Sequence, residues 1–299
     1  RLGVVPVDVV AGTLGADRFG GGRNAVLSMY LVATFGILAS LWRCGALRGF
    51  LLALSTPVLL APLFLNESKF ALILVLLTLA YIFRTDILRN PLRFAGAALV
   101  AGALALGMLA SYSASFGKGK TIYETIQYTL ESNVGAQGYA GHSLNRWTVL
   151  TFWADRHGRE DIAGTLFGHG LGASHESSES VLTSVRTLAD SRYRGYGIGL
   201  TAISALLWDT GLLGTFAMLA MFVSAFLLAG QLARAYADDR RLRGLFGGMQ
   251  AAVLSAGLML FHSNYLVLDP VFQTLVYFMV GHLGYWSLRL AAVDPMEKP

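Results

Sequence analysis

The chain has 299 residues, of which 55% are hydrophobic and only 14% charged, with a formal net charge of +5. A soluble domain carries about 25% charged residues, so this composition, with a mean hydropathy of +0.55, excludes an ordinary soluble enzyme. Intrinsic disorder is excluded too, because it needs low hydrophobicity and high net charge. What remains is a polytopic membrane protein, with 34 glycines of the kind that let membrane helices pack closely.

The chain opens at Arg1 without the regions of a signal peptide. It reads as an N-terminally truncated fragment with upstream helices missing. A bilayer core about 30 Å thick takes about 20 apolar residues per helix. Seven stretches approach that length: 25–42, 49–65, 70–83, 94–112, 211–231, 245–262 and 271–288. Arg43, Arg48, Arg84, Arg89, Arg93, Arg234, Arg240, Arg241, Arg243, Arg289 and Lys298 all fall on one side of these stretches, whereas the opposite short connections hold Lys69 alone. Positive charge marks the cytoplasm, which places 113–196 outside. The expected fold is therefore all-α and polytopic, with about seven transmembrane helices and one long, partly helical periplasmic loop. Its organisation is 1–112 (a periplasmic lead-in and four spans), 113–210 (the loop with interfacial helices) and 211–299 (three spans and a cytoplasmic tail). The basic residues flank apolar segments, so nucleic acid is not an expected partner; the lipid bilayer is.

Candidate functional residues cluster on the outer side. Asn66-Glu-Ser-Lys69 puts an ionisable pair at a membrane boundary, which marks function or mutual pairing. Within the loop, helices are expected at about 120–132 and 144–157, with a Gly-rich turn at 164–172. In Asn145-Arg-Trp-Thr-Val-Leu-Thr-Phe-Trp153, helical spacing puts Arg146, Leu150 and Trp153 on one face. Tryptophan favours the membrane interface, so this helix is expected to lie along the outer surface with Arg146 near headgroup depth. A guanidinium there suits a lipid-linked pyrophosphate; a plain interfacial anchor gives the same spacing.

Leu166-Phe-Gly-His-Gly-Leu-Gly172 alternates glycines. Gly168, Gly170 and Gly172 permit positive φ, so the loop can present N–H groups as an anion nest, with His169 as a base or phosphate contact. A tight turn with an exposed histidine is the plainer alternative. Ser191-Arg-Tyr-Arg-Gly-Tyr-Gly-Ile-Gly199 puts Arg192 and Arg194, with Tyr196, just before a membrane segment on the outer face. An anionic ligand would compensate that charge, as would pairing with Asp190 or Glu179. Residues 199–209 read as an interfacial helix that Asp209-Thr-Gly211 breaks before the span. His262-Ser-Asn-Tyr265 and Asp269-Pro270 read as plain caps.

Several signatures fail. Gly141-His-Ser-Leu-Asn145 ends in Asn rather than Gly, and His175-Glu-Ser-Ser-Glu179 has Glu at the second His of a zincin motif. Cys44 is the only cysteine, so there is no Cys-based metal site. No metal and no cofactor are expected.

With these residues in view, the chain resembles the bacterial O-antigen ligase/polymerase family of integral membrane glycosyltransferases, and the likeness spans most of its length. Asp17-Arg-Phe-Gly-Gly-Gly-Arg-Asn24 is similar to the family's Gly- and Asn-containing loop before a span. Asn66-Glu-Ser-Lys69 resembles its small-polar-plus-basic motif, and Arg146, Trp153 and Phe167-Gly-His-Gly-Leu-Gly172 resemble its Arg-helix followed by a G-x-G turn. Ala205-Leu-Leu-Trp-Asp-Thr-Gly-Leu-Leu-Gly214 is close to its acidic-x-Gly-Leu-Leu-Gly element. The family's ligases carry His-Asn about ten residues before that element; here the positions are Leu200-Thr201, which favours a polymerase.

The resemblance implies a metal-independent, inverting-type transfer of a glycan from undecaprenyl pyrophosphate to an acceptor sugar hydroxyl at the outer face of the bacterial inner membrane. Arg146 with Arg192 or Arg194, and Lys69, would stabilise the leaving pyrophosphate. His169, or alternatively Asp209, would serve as the base. Implied partners are the undecaprenyl-pyrophosphate-linked oligosaccharide, the acceptor glycan and other polysaccharide-export proteins. A ligase acting on lipid A-core and a non-enzymatic lipid or polysaccharide transporter are the alternatives; a transporter is expected to show repeats and midplane ionisable residues, which are not evident here.

Overall fold

The structure is a computed structural model that describes residues 24–65, 69–92, 144–157, 161–176 and 187–293, with helical backbone also at 95–96, 102, 123–124 and 127. The expected span 94–112 and helix 120–132 lie, apart from those few positions, outside the described residues, as do 1–23, 66–68 and 177–186.

All regular structure among the described residues is helical. In chain order the helices are α1 (Asn24–Arg43), α2 (Gly49–Leu65), α3 (Lys69–Ile82), α4 (Arg84–Arg89), α5 (Thr148–Arg156), α6 (Ile162–Phe167), α7 (Leu188–Arg192), α8 (Ala202–Ala235), α9 (Arg240–Met259), α10 (Tyr265–Leu268) and α11 (Pro270–Val293). Two of them, Ala25–Arg43 within α1 and Ala202–Ala235, are long and apolar enough to cross a membrane. The other expected spans inside the described residues are helices that fall short of that measure for visible reasons. α2 and α3 have 17 and 14 residues. α9 opens with Arg240, Arg241 and Arg243, and α11 carries Gln273, His282 and Arg289. Pro57 and Pro62 lie inside α2 without ending it.

The chain divides into two compact units. The first comprises 1–105, 222–257 and 271–299. Here small residues let helices approach closely. A Cβ on Gly248 would meet Ile37 Cα at 2.5 Å, one on Gly244 would meet Leu41 Cα at 2.9 Å, and one on Gly247 would meet Ser40 Oγ at 2.8 Å. The α9 glycines thus seat α1 against bare backbone. Ala39, Ile82 and Ala251 form a buried core cluster. Polar groups inside are matched: Thr78 Oγ1 and Ser255 Oγ share a hydrogen bond at 2.8 Å, and Gln250 Nε2 donates to Phe226 O at 3.0 Å. At one end Arg43 pairs with Asp86 at 2.7 Å and donates to Thr85 Oγ1 at 2.6 Å.

The second unit comprises 106–221 and 258–270 and holds α5, α6, α7, the first part of α8 and α10. Thr201 starts α8 as a reciprocal cap: its Oγ1 accepts Ser204 N–H at 3.1 Å, and Ser204 Oγ accepts Thr201 N–H at 3.1 Å. The connector after α9 completes the unit by backbone pairing. Ala202 N–H donates to Ser263 O at 2.8 Å and Ile203 N–H to Leu260 O at 3.1 Å. As the sequence anticipates, the helix is broken at Gly211, whose φ of 65° and ψ of −164° interrupt α8.

Candidate functional site

The break in α8 organises the site. A helix broken at Gly211 leaves the carbonyls just before the break without their usual partners four residues on. The glycine loop after α6 supplies replacements. His169 N–H donates to Trp208 O at 2.8 Å and Gly170 N–H to Asp209 O at 3.0 Å. The buried Asp209 carboxylate then accepts Gly172 N–H at 3.0 Å through Oδ2 and Ser174 N–H at 2.8 Å through Oδ1. The expected nest of N–H groups is present, but its anion is Asp209 itself. Those donors are therefore not open to a phosphate, which corrects the reading of Gly170 and Gly172 as ligand-facing donors.

Gly168 and Gly211 are what permit so close an approach. Gly168 has φ 73° and ψ −166°, the same glycine-only region as Gly211. A Cβ on Gly168 would lie 2.5 Å from the Asp209 carbonyl, and one on Gly211 would lie 2.5 Å from the Leu166 carbonyl.

His169 is carried by this loop to a second imidazole. His157, the C-cap of α5, is buried, and its Nε2 lies 2.8 Å from His169 Nε2. His157 Nδ1 lies 3.0 Å from Trp153 O. A carbonyl only accepts, so His157 carries its proton on Nδ1, and His169 Nε2–H donates to the bare His157 Nε2. Burial pushes the His157 imidazole below its usual range, the hydrogen bond to Trp153 O opposing this. Asp161 caps α6, its Oδ1 accepting Gly164 N–H at 2.8 Å, while Oδ2 lies 4.0 Å from His169 Nε2.

An aromatic wall holds these groups. Trp208 is 1% exposed and sits with its ring 4.6 Å from His157 and 5.9 Å from His169. Trp153 stacks on His157 at 4.7 Å. Phe152 packs against Tyr193, Tyr196 and Trp208. Among the described residues, Trp208 Nε1 and Ser263 Oγ are buried without a hydrogen-bond partner.

The cations expected to meet phosphate enter from two segments that pair through their backbones. Leu144 N–H donates to Tyr196 O at 2.9 Å, which joins the lead into α5 to the Arg192–Tyr196 turn. Asn145 Oδ1 accepts Trp147 N–H and Thr148 N–H and so starts α5. Arg146 is half-buried, and its Nε donates to His262 O at 2.7 Å. Burial lowers its pKa, though a guanidinium still keeps its charge at neutral pH. Arg192 and Arg194 are exposed, and among the described residues neither forms an ion pair; Arg192 Cζ lies 5.7 Å from the Tyr193 ring. Glu176 Oε1 shapes that turn by accepting Gly195 N–H at 3.0 Å and Gly197 N–H at 3.3 Å.

One expectation changes here. Trp153 is 8% exposed and donates Nε1–H to Leu207 O at 3.2 Å, whereas Trp147 is 59% exposed. The buried face of α5 is Thr148, Val149, Phe152 and Trp153, so Trp153 props the histidine pair and is not an interfacial anchor. Lys69 begins α3 in the first unit. Of the residues that sequence reasoning missed, His157 and Asp161 matter most. A Trp153-x-x-x-His157-x-x-x-Asp161 spacing is visible in the sequence, but nothing in it says that a histidine twelve positions on folds back to meet them.

Burial, with Arg146 as the facing cation, also drives the His262 imidazole down to about 3. The folded unit thus takes up that proton only near pH 3, while an unfolded chain takes it up near the ordinary 6.5. Stability present above pH 6.5 is lost as pH falls through this window, by about 2 kcal/mol between pH 6.5 and pH 5. The buried His157 acts in the same direction. Melting temperature in detergent should therefore fall from pH 7 to pH 5, and His262→Gln should flatten that slope. An unchanged slope in the variant would refute this assignment.

Comparison with family models, with curated proteins and with solved structures finds no match for this chain.

Proposed function

We propose that the chain is a multi-pass protein of the bacterial inner membrane. In this reading it transfers a glycan from undecaprenyl pyrophosphate to an acceptor sugar hydroxyl at the outer face, as a surface-polysaccharide or O-antigen polymerase. The observation that carries this reading is the gathering of Arg146, the Arg192–Arg194 turn and the His157–His169 pair in one unit. An anionic leaving group needs cations, and an attacking hydroxyl needs a proton acceptor. Membrane residence is supported by apolar side chains on helix faces: Phe50, Leu54 and Val58 on α2, and Leu213, Phe216, Val223 and Leu227 on α8 are all more than half exposed. The residue pattern shared with the O-antigen ligase/polymerase family supplies the substrate class.

In the proposed reaction the acceptor hydroxyl attacks the anomeric carbon, and the bond from that carbon to the pyrophosphate oxygen breaks with inversion. Arg146, Arg192 and Arg194 bind the departing pyrophosphate. The hydroxyl proton passes to His169 Nδ1 while its Nε2–H leans on His157 Nε2, which spreads the charge over two imidazoles. Asp209 holds the loop that presents His169; with both oxygens engaged by backbone N–H groups, it is a positioning residue rather than the base.

The test is complementation in a strain lacking the gene, with polymer length read on a gel. Arg194→Ala and His169→Ala are expected to give short or absent polymer at normal membrane abundance. Wild-type ladders from both would favour the transporter or a scaffold for export proteins.

A further inference from the structure

The geometry points to a divalent transition-metal site formed by His157, His169 and Asp161. One ligand atom from each of these residues lies within 4.8 Å of the others. Two imidazole nitrogens and one carboxylate oxygen are the donor set of zinc and related ions, while magnesium and calcium prefer oxygen alone.

Two of the three ligands are aimed by a second contact. His157 gives Nδ1–H to Trp153 O at 3.0 Å, which leaves Nε2 bare and points it inward. Metal-binding histidines are commonly fixed by such a bond on the opposite nitrogen. Asp161 uses Oδ1 to cap Gly164 N–H at 2.8 Å, and Oδ2 faces His169 Nε2 at 4.0 Å. Gly164 keeps the space between them open. A Cβ there would collide with Asp161 Oδ2 and lie 2.9 Å from His169 Cε1.

The imidazoles need only a small adjustment. Zn–N bonds of about 2.0–2.1 Å in a tetrahedral site put two nitrogens roughly 3.4 Å apart, against the 2.8 Å observed. The backbone of His169 is held by its bond to Trp208 O, but its side chain is 28% exposed, so a small turn about the side-chain bonds opens the separation by about 0.5 Å. The carboxylate is 47% exposed, so water can reach the ion and fill a fourth position. A metal takes the place of the proton shared by the two Nε2 atoms. Metal binding and proton acceptance by His169 therefore exclude each other, and the binding claim stands whether or not glycan transfer does.

The experiment is titration of the purified full-length protein in detergent with Co2+, read by its visible d–d absorption, followed by displacement with Zn2+. One equivalent is expected to bind with a tetrahedral-type spectrum, and Mg2+ should not compete. Asp161→Asn keeps an oxygen to cap α6 but removes the anionic ligand; it should weaken binding by at least about tenfold. His169→Gln should abolish the spectrum, and Cys44→Ser should leave it unchanged. Circular dichroism and the melting temperature would establish that each variant is folded. No bound Co2+ in the wild type, or equal binding by wild type, Asp161→Asn and His169→Gln, would overturn the site.

Discussion

Gly211→Val is expected to unfold the second unit while α1, α2 and α3 stay assembled. Gly211 has φ 65° and ψ −164°, a region essentially closed to side chains and worth about 1–3 kcal/mol of strain by itself. Steric collision costs more. A Cβ there would lie 2.5 Å from Leu166 C and O and 2.6 Å from Gly168 N, and backbone cannot step aside as a flexible side chain can. Moving it pulls apart the hydrogen bonds from His169, Gly170, Gly172 and Ser174 to Trp208 and Asp209. Strain, collision and lost hydrogen bonds together exceed about 4 kcal/mol, the range in which single substitutions are exceptional. Gly172 is the control: its φ is +83° but a Cβ meets nothing within 4 Å, so Gly172→Ala should cost only about 1–2 kcal/mol. Tryptophan fluorescence from the buried Trp153 and Trp208 reports the melting of this unit. A Gly211→Val protein that melts with the wild type would refute this role for the kink.

Arg146→Ala is expected to lower the proposed glycan transfer by about 10²–10³-fold, the usual loss when one donor to a developing charge is removed. The guanidinium is oriented by its Nε–H bond to His262 O at 2.7 Å. Arg146→Lys keeps the charge but not the planar fork, so it should recover only part of the activity. A structural readout accompanies the kinetic one. Arg146 helps to hold the His262 imidazole low, so its removal should raise that pKa and soften the acid lability of the fold. Normal polymer from Arg146→Ala at normal abundance would sink the role assigned to it.

Much of the helical framework is legible in the sequence because apolar length and flanking arginines are local signals. Expected 25–42, 49–65 and 70–83 correspond to α1, α2 and α3, and 211–231, 245–262 and 271–288 fall within or overlap α8, α9 and α11. The break at Asp209-Thr-Gly211 is legible for the same reason. The chemistry of the loop is not. Trp153 reads as an interfacial anchor by residue type, and only the packing of Phe152, Tyr193 and Trp208 around it shows that it faces inward. The glycine loop reads as an open nest because sequence gives its donors but not its acceptor, Asp209, 37 positions beyond Gly172. The meeting of His157 with His169 depends on the path of α6 between them, which no short motif encodes. The pairing of Leu144 with Tyr196, which joins the segment that leads into Arg146 to the turn that holds Arg194, is equally non-local.

The most direct measurement is elongation by the purified full-length protein in liposomes, supplied only with an undecaprenyl-pyrophosphate-linked oligosaccharide and no ion gradient. Longer lipid-linked glycans and release of undecaprenyl pyrophosphate in equal amounts are expected, with both reduced about 10²–10³-fold in Arg146→Ala. Glycan of unchanged length with the wild type, or its movement across the bilayer without any new glycosidic bond, would contradict the proposed transfer.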